Sequence, residues 1–339
     1  MNDIIKSKFI QNIEENYDKI TPLNSSNKNP QLKQLLEQQL FPTTKNEDWK
    51  FTDITNMLNN NFYLPINKTF TTHNTLNLKS ITKNRIIFIN GSFSKDLSSI
   101  QNNNDIIIFN LASNNNPILN NYTNNIFETL IERYASDGYC IIIKNTINEP
   151  IELFNITIGE NYFIPQKNII IAEQHSKATI IEQHINYNSS NKTLLTNSTQ
   201  IHLKENSSIE YIIIQDVHNE NYIINNLYSY LNKNSNLNKY ILSLNGQLIR
   251  NNTYTFLDQE NSSLNIYGLY LPKNKQHIDN FTFIKHNHSY TQSNQLFRSV
   301  CNDSATAVFS GKIYVNKNCQ KINAIQNNNN IILTNSANV

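Results

Sequence analysis

The sequence predicts a mainly β protein with a small helical region at its front. Two observations carry this. From Arg85 to Leu333 the chain is a train of short, β-branched runs bounded by polar clusters. Ahead of that train, apolar residues recur at helical rather than alternating spacing. The length, 339 residues, permits one large or two medium domains.

Within residues 3–20, Ile4, Ile5, Phe9, Ile13, Tyr17 and Ile20 share a helical face with Glu and Lys between them. Pro30 can begin a second helix carrying Leu32, Leu35, Leu36 and Leu40, and Pro42 ends it. Residues 1–60 are therefore assigned to a helical region and 61–339 to the β core. Strands are expected at 85–90, 105–110, 139–143, 151–158, 168–171, 178–185, 193–203, 209–214, 222–230 and 239–244, then regularly to Leu333. A helix over 122–134 interrupts them, with Ile126, Phe127, Leu130 and Ile131 on one face. So many short strands suit a sandwich, a barrel or a β-solenoid. Tight-hairpin dipeptides are few (Asn90-Gly91, Asp137-Gly138, Asn245-Gly246), which counts mildly against a meander.

Asn makes up about a fifth of the chain and Ile is also abundant, as an AT-rich gene would give. The Asn runs at 102–104, 114–116 and 327–330 could be read as low-complexity disorder. Interleaved Ile, Leu, Phe and Tyr argue against that. Asn tolerates the left-handed backbone at turns and can form ladders between stacked rungs. The six glycines are then expected where even Asn fits badly.

Net charge is +2, with 16% charged residues of both signs scattered, so no basic stripe points to nucleic acid. No apolar run approaches a membrane span, and the start lacks a secretory pattern. Cys140, Cys301 and Cys319 are odd in number and unclustered, which fits a reducing, cytoplasmic setting. Buried structural thiols are the default for Cys301 and Cys319. His286 and His288 would share one face of a strand, with His277 nearby, yet no Cys or carboxylate sits at ligand spacing. They are expected to be ordinary polar residues, and no metal is assigned. His175 and His184 lie near no obvious partner. Trp49, the lone Trp, reads as an aromatic anchor between helices and strands, with Glu47 and Asp48 placed to cap or pair with Lys50. Neither a phosphate loop nor a nucleophile elbow occurs.

Several motifs go further. Near the front stands Phe41-Pro-Thr-Thr-Lys-Asn-Glu-Asp-Trp-Lys-Phe-Thr52. Later come Ser243-Leu-Asn-Gly-Gln-Leu-Ile-Arg-Asn-Asn252, Tyr267-Gly-Leu-Tyr270 and Gln276-His-Ile-Asp-Asn280. The richest stretch is Asn294-Gln-Leu-Phe-Arg298, Ala307-Val-Phe-Ser-Gly-Lys-Ile-Tyr-Val315 and Gln320-Lys-Ile-Asn-Ala-Ile-Gln-Asn-Asn328. In order and spacing these resemble the SufB/SufD family of the SufBCD iron–sulfur cluster assembly machine, and its SufD branch more than SufB. The resemblance implies a right-handed parallel β-helix and a non-catalytic scaffold subunit that pairs with SufB. Partner contact is expected from the last strands, through Val308, Phe309, Lys312, Tyr314, Ile331, Ile332 and Leu333. No cofactor is expected to stay on this chain, the iron–sulfur cluster being transient and held by the complex. Family members continue past the last motif with a Ser-His pair and a helical end that docks the SufC ATPase. The match here stops in mid-motif, so a SufC contact rests on a segment this sequence does not contain. The competing classes are a β-helix carbohydrate-active enzyme, which needs clustered carboxylates where these are dispersed, and a degenerate, inactive remnant.

Overall fold

The computed structural model describes residues 2–23, 30–66, 80–99, 104–113, 125–187 and 192–339. Positions 102, 103, 114–116 and 122–124, which the sequence placed in Asn runs or in a helix, lie outside the described residues.

Four helices form: α1 (Asn2–Glu14), α2 (Pro30–Gln38), α3 (Thr55–Leu58) and α4 (Ile126–Tyr134). The strands begin with β1 (Asn84–Ile89), β2 (Ser92–Phe93), β3 (Ile106–Asn110), β4 (Tyr139–Ile143), β5 (Ile151–Ile158) and β6 (Phe163–Ala172). They continue with β7 (Lys177–Tyr187), β8 (Leu194–Leu203), β9 (Ser208–Asp216), β10 (Tyr222–Leu231), β11 (Asn236–Asn245) and β12 (Leu248–Leu257). The last are β13 (Ser263–Tyr270), β14 (His277–His286), β15 (Gln292–Cys301), β16 (Thr306–Val315) and β17 (Asn323–Ile332).

From β4 onward, consecutive strands alternate between two sheets. One runs β17-β15-β13-β11-β9-β7-β5-β1-β2 and the other β16-β14-β12-β10-β8-β6-β4-β3. Every pairing is parallel except β1 with β2 and β3 with β4. This is a two-faced β-solenoid of about seven turns preceded by a small helical region, as the sequence led us to expect. The β1–β2 hairpin falls at Asn90-Gly91, where both φ angles are positive, the conformation that dipeptide favours.

Each turn repeats the last in register, so like residues stack in columns. Ile164, Leu195, Ile223, Ile249, Ile278 and Ala307 form one column facing the opposite sheet. Two positions on, Gln166, Asn197, Asn225, Asn251 and Asn280 form a polar column. There Asn225 Nδ2 donates to Asn251 Oδ1 at 3.1 Å, and Asn251 Nδ2 to Asn280 Oδ1 at 3.0 Å. On the outward-facing sides of the sheets Asn252 donates to Asn226, under the helical region, and Asn265 to Asn238, each at 2.9 Å. The expected Asn ladders are thus real, inside and out. Each is worth about 1 kcal/mol net, but an unmet amide would cost more, which holds the rungs in register.

The corners leading from the second sheet back to the first share one device. His175, Asn206, Asn234, Asn261 and Tyr290 take positive φ. The following Ser176, Ser207, Ser235, Ser262 and Thr291 turn their hydroxyls to the carbonyl three residues back, at 2.6–3.0 Å. Where the left-handed residue is Asn, the corners also ladder: Asn234 donates to Asn206 and Asn261 to Asn234.

The helical region closes over the outer face of the second sheet. Phe9, Ile13, Phe41, Met57, Phe62, Phe127 and Leu130 bury a continuous cluster against Phe163, Leu194, Tyr222, Ile224 and Leu248. This outer core explains why α4, capped by Asn125 at 3.0 Å, is buried on every side.

Candidate functional site

Three sequence motifs, far apart in the chain, meet on that same outer face. Arg250 lies on β12 and Asp279 beside it on β14, paired in register. Both are 1% exposed, and their side chains form an ion pair. Arg250 Nη2 also donates to the Asp48 carbonyl at 2.7 Å, and Nε to Asn252 Oδ1 at 2.7 Å. The guanidinium lies 4.5 Å from the Trp49 ring centre and 5.2 Å from that of Phe281. Thr52 donates to Asp279, and its oxygen is 2.9 Å from His277 Nε2. Burial holds the His277 pKa below the ordinary imidazole value, with Asp279 opposing that shift. Here a buried charge is matched by a partner charge, a carbonyl, an amide and two rings, which is what desolvating it requires.

Trp49 also stacks on Phe127 at 5.8 Å, so it anchors the front segment to strands and helix together, the role read from the sequence. Glu47 and Asp48 behave differently from that reading. Lys312 on β16 holds both, at 2.9 and 2.6 Å, and these hydrogen bonds raise its pKa. Lys50 instead sits 5.3 Å from the Phe51 ring centre. The register of β12, β14 and β16 brings Lys312 under the Glu47–Trp49 turn, a proximity that residue spacing along the chain could not reveal.

Beside this cluster a cleft of about 850 Å³ opens between the 39–49 segment and a ladder of rings on the outer sheet face. Tyr228 stacks on Tyr254 at 5.0 Å and Tyr230 on Phe256 at 5.1 Å, the ring planes nearly parallel in each case. Glu128, in the first turn of α4, is 1% exposed; burial pushes its pKa up to about 8.

The interior contains ionisable groups the sequence did not single out, Glu182 and Lys239, and it corrects the reading of His184, which has Glu182 as a partner. Glu182 accepts from the Tyr139 and Tyr211 hydroxyls and from Asn155, and His184 Nε2 stands 3.2 Å from it. Burial alone would raise the Glu182 pKa, but the bonds from His184, Tyr211 and Tyr139 bring it below the usual value. Lys239, fully buried, donates to Thr255 at 2.9 Å, and burial lowers its pKa to about 7. Alternation along β7 and β11 was the available signal, since each places these residues in phase with inward-facing Ile and Leu.

The histidines separate. β14 ends at His286, which turns inward to Thr291 and Ser293 at 2.7 and 3.0 Å, and burial lowers its pKa to about 4. His288 is exposed on the following corner, so the two do not share a face. Cys140 and Cys301 are buried thiols with raised pKa values, while Cys319 is half-buried. Among the described residues no cluster of His, Cys, Asp and Glu has metal-binding geometry. No described helix is long and apolar enough to cross a membrane.

The seven residues expected at a partner surface divide in two. Val308 is 8% exposed, Phe309 packs on Phe297 at 4.5 Å, and Lys312 is engaged by the front segment. Tyr314, Ile331, Ile332 and Leu333 are 47, 59, 49 and 59% exposed. β16 and β17 are the outermost strands of their sheets, and β17 is exposed along almost its whole length. Apart from a bridge from Thr306 to Asn338, no further strand pairs with them among the described residues.

Residues 155–339 match the family model for the SufBD core domain of SUF-system FeS cluster assembly. The iron–sulfur cluster assembly protein SufD of Escherichia coli (strain K12) is 24% identical over 317 residues, covering 90% of this chain and 74% of that protein. An iron–sulfur cluster assembly SufBD family protein of Synechocystis sp. is 25% identical over 335 residues, covering 90% and 72%. SufD of Plasmodium berghei is 28% identical over 153 residues, covering 45% of this chain and 11% of that protein.

Proposed function

The chain belongs to the SufBD core family of SUF-system FeS cluster assembly proteins, and on that premise we propose that it is a scaffold subunit that pairs with a SufB-like subunit. The reading is non-catalytic: cluster chemistry and ATP hydrolysis belong to the partners, and the cluster passes through the complex without residing on this chain. A cytoplasmic setting goes with it. The observation that supports pairing is the last rung, where Tyr314, Ile331, Ile332 and Leu333 present apolar surface beside unpaired strand edges. Such an edge is a template for strand addition, and main-chain bonds would supply affinity while alternate side chains supply selectivity.

The test is co-expression of the tagged chain with the SufB-like subunit from the same source. A stoichiometric complex should elute together, and Ile332→Asp should weaken it at least tenfold. No complex with the parent chain would refute the pairing. A complex that Ile332→Asp leaves unchanged would move the interface to another surface.

A further inference from the structure

The cleft of about 850 Å³ beside the Arg250 cluster presents one kind of surface. Tyr228 and Tyr254 lie at an interplanar angle of 8°, so each covers a face of the other and what they leave to the cleft is ring edge. Trp49, on the facing segment, is covered by the Arg250 guanidinium and by Phe127. Ring edges carry the positive end of the aromatic quadrupole. Two hydrogen-bond donors add to them. Neither the Trp49 indole N–H nor the Tyr254 hydroxyl has a hydrogen-bond partner among the described residues, and neither is among the polar atoms sealed from solvent. Burial raises the Tyr254 pKa to about 12, so this hydroxyl keeps its proton. Edges and donors together make an apolar surface that calls for acceptors.

The rim supplies the sign of charge. Among the described residues that line the cleft, Glu47, Asp48 and Lys312 are the ionised ones. Lys312 pairs with both carboxylates, which leaves one negative charge, and the Glu47 side chain is 83% exposed and free to turn toward a ligand. A carboxylate or phosphate ligand is repelled by that charge. A bare amine offers the two donors no acceptor and finds ring faces already covered. A proline-rich segment meets both demands. Its polyproline II backbone presents open carbonyls and no proline N–H, and such segments dock in aromatic-lined grooves. We propose that this cleft docks a proline-rich segment of a partner protein, its carbonyls on Trp49 and Tyr254 and a flanking arginine or lysine toward Glu47. The site shares no residue with Tyr314, Ile331, Ile332 and Leu333, so docking here and pairing at the last rung can each fail alone.

The test is calorimetric titration of the full chain with two acetylated, amidated peptides, six prolines with one arginine at either end. Trp49 is the sole Trp, so its emission reports on this site. At least one peptide should bind saturably, with a parallel change in Trp49 emission. Six glycines with the same arginine, equal in charge but not pre-organised, should bind about tenfold more weakly. Glutamate in place of the arginine should weaken binding about threefold. Tyr254→Phe, which removes only the unpartnered hydroxyl, should weaken it about fivefold. Glu47→Gln should weaken it about threefold and flatten its salt dependence. No saturation by either peptide would overturn the proposal, and so would saturation that leaves Trp49 emission unmoved. Equal binding of the glycine peptide would overturn the polyproline class, and equal binding of the glutamate peptide the assigned charge. Binding that Tyr254→Phe and Glu47→Gln both leave unchanged would overturn the site. Should Tyr254→Phe fail to fold, Glu47→Gln and the salt dependence of the parent decide the matter.

Discussion

The Arg250 guanidinium lies 4.5 Å from the centre of the Trp49 ring and closes the front segment onto the solenoid. Arg250 is in turn held by Asp279, one rung along, and Asp279 accepts from Thr52, which follows Trp49 in the same segment. Three of the motifs that share a likeness with the SufB/SufD family, 41–52, 243–252 and 276–280, therefore form one buried structure. Their joint function is to fix the helical region on the outer sheet face.

Removing one member should expose how the lock is built. Arg250→Leu leaves the Asp279 carboxylate buried with its charge partner gone, so it should destabilise by about 3–5 kcal/mol. Trp49→Ala, which removes a half-buried ring, should cost about 2 kcal/mol. Since both break one contact, the double variant should cost less than the sum. Urea denaturation of the four proteins measures this. Additive effects within about 0.3 kcal/mol would show that the ring and the guanidinium are not coupled.

Two buried groups make opposite pH predictions. The native Glu128 pKa is raised to about 8, so the folded state keeps a proton that the unfolded state releases between about 4.5 and 8. Its contribution falls as pH rises through that window. Glu128→Gln should match the parent at pH 4 and be more stable above pH 8, by up to a few kcal/mol at about 1.4 kcal/mol per unit. Lys239 is lowered to about 7, so the unfolded state binds more protons between about 7 and 10.5, and stability rises with pH there. Lys239→Met should therefore gain most at pH 6 and least near pH 10. Denaturant midpoints across that range check both signs.

Strand existence was legible in the sequence because β-branched runs are its commonest local signal. The front half of β6 was not, because Pro165 argues against a strand. It is tolerated here because β4 pairs only with Ile169 to Ala172, so a single ladder runs beside Pro165. The corner Ser residues carry a repeat visible in the sequence, as His-Ser, Asn-Ser and Tyr-Thr pairs ahead of successive strands, yet insertions vary its period enough to hide it. Trp49 was readable as an anchor, since a lone Trp between helices and strands has few other uses. Arg250 and Lys312 as its companions were not, because only solenoid register brings them together. Val308 and Phe309 looked available to a partner, but alternation turns Phe309 inward onto Phe297.

Close packing inside the solenoid gives a sharper test. A methyl on Gly268 would fall 2.1 Å from the Phe297 ring, which fills the space above it on the neighbouring rung. Gly268→Ala should cost about 1–3 kcal/mol by overpacking. Adding Phe297→Leu, with a smaller side chain, should recover part of that loss, although Phe297→Leu alone destabilises. Thermal unfolding of the pair reports the coupling, and a double variant as unstable as the summed single variants would show that the clash lies elsewhere.

The last rung should also determine how the chain behaves without a partner. β17 presents Ile325, Ile331 and Ile332, and Leu333 follows; all four are between 46 and 59% exposed beside an unpaired edge. The strand includes no Pro or charged residue, so it lacks the devices that usually protect such edges. Two copies can meet there edge to edge, since each offers the donors and acceptors the other lacks. The chain alone should therefore self-associate at micromolar concentration, seen as a rising sedimentation coefficient. Ile332→Asp would place a charge in that contact and should return the protein to monomer. Lys321→Glu, on the corner ahead of the edge, should leave association nearly unchanged. A parent chain that stays monomeric, or an Ile332→Asp variant that associates equally, would mean that this edge does not drive association.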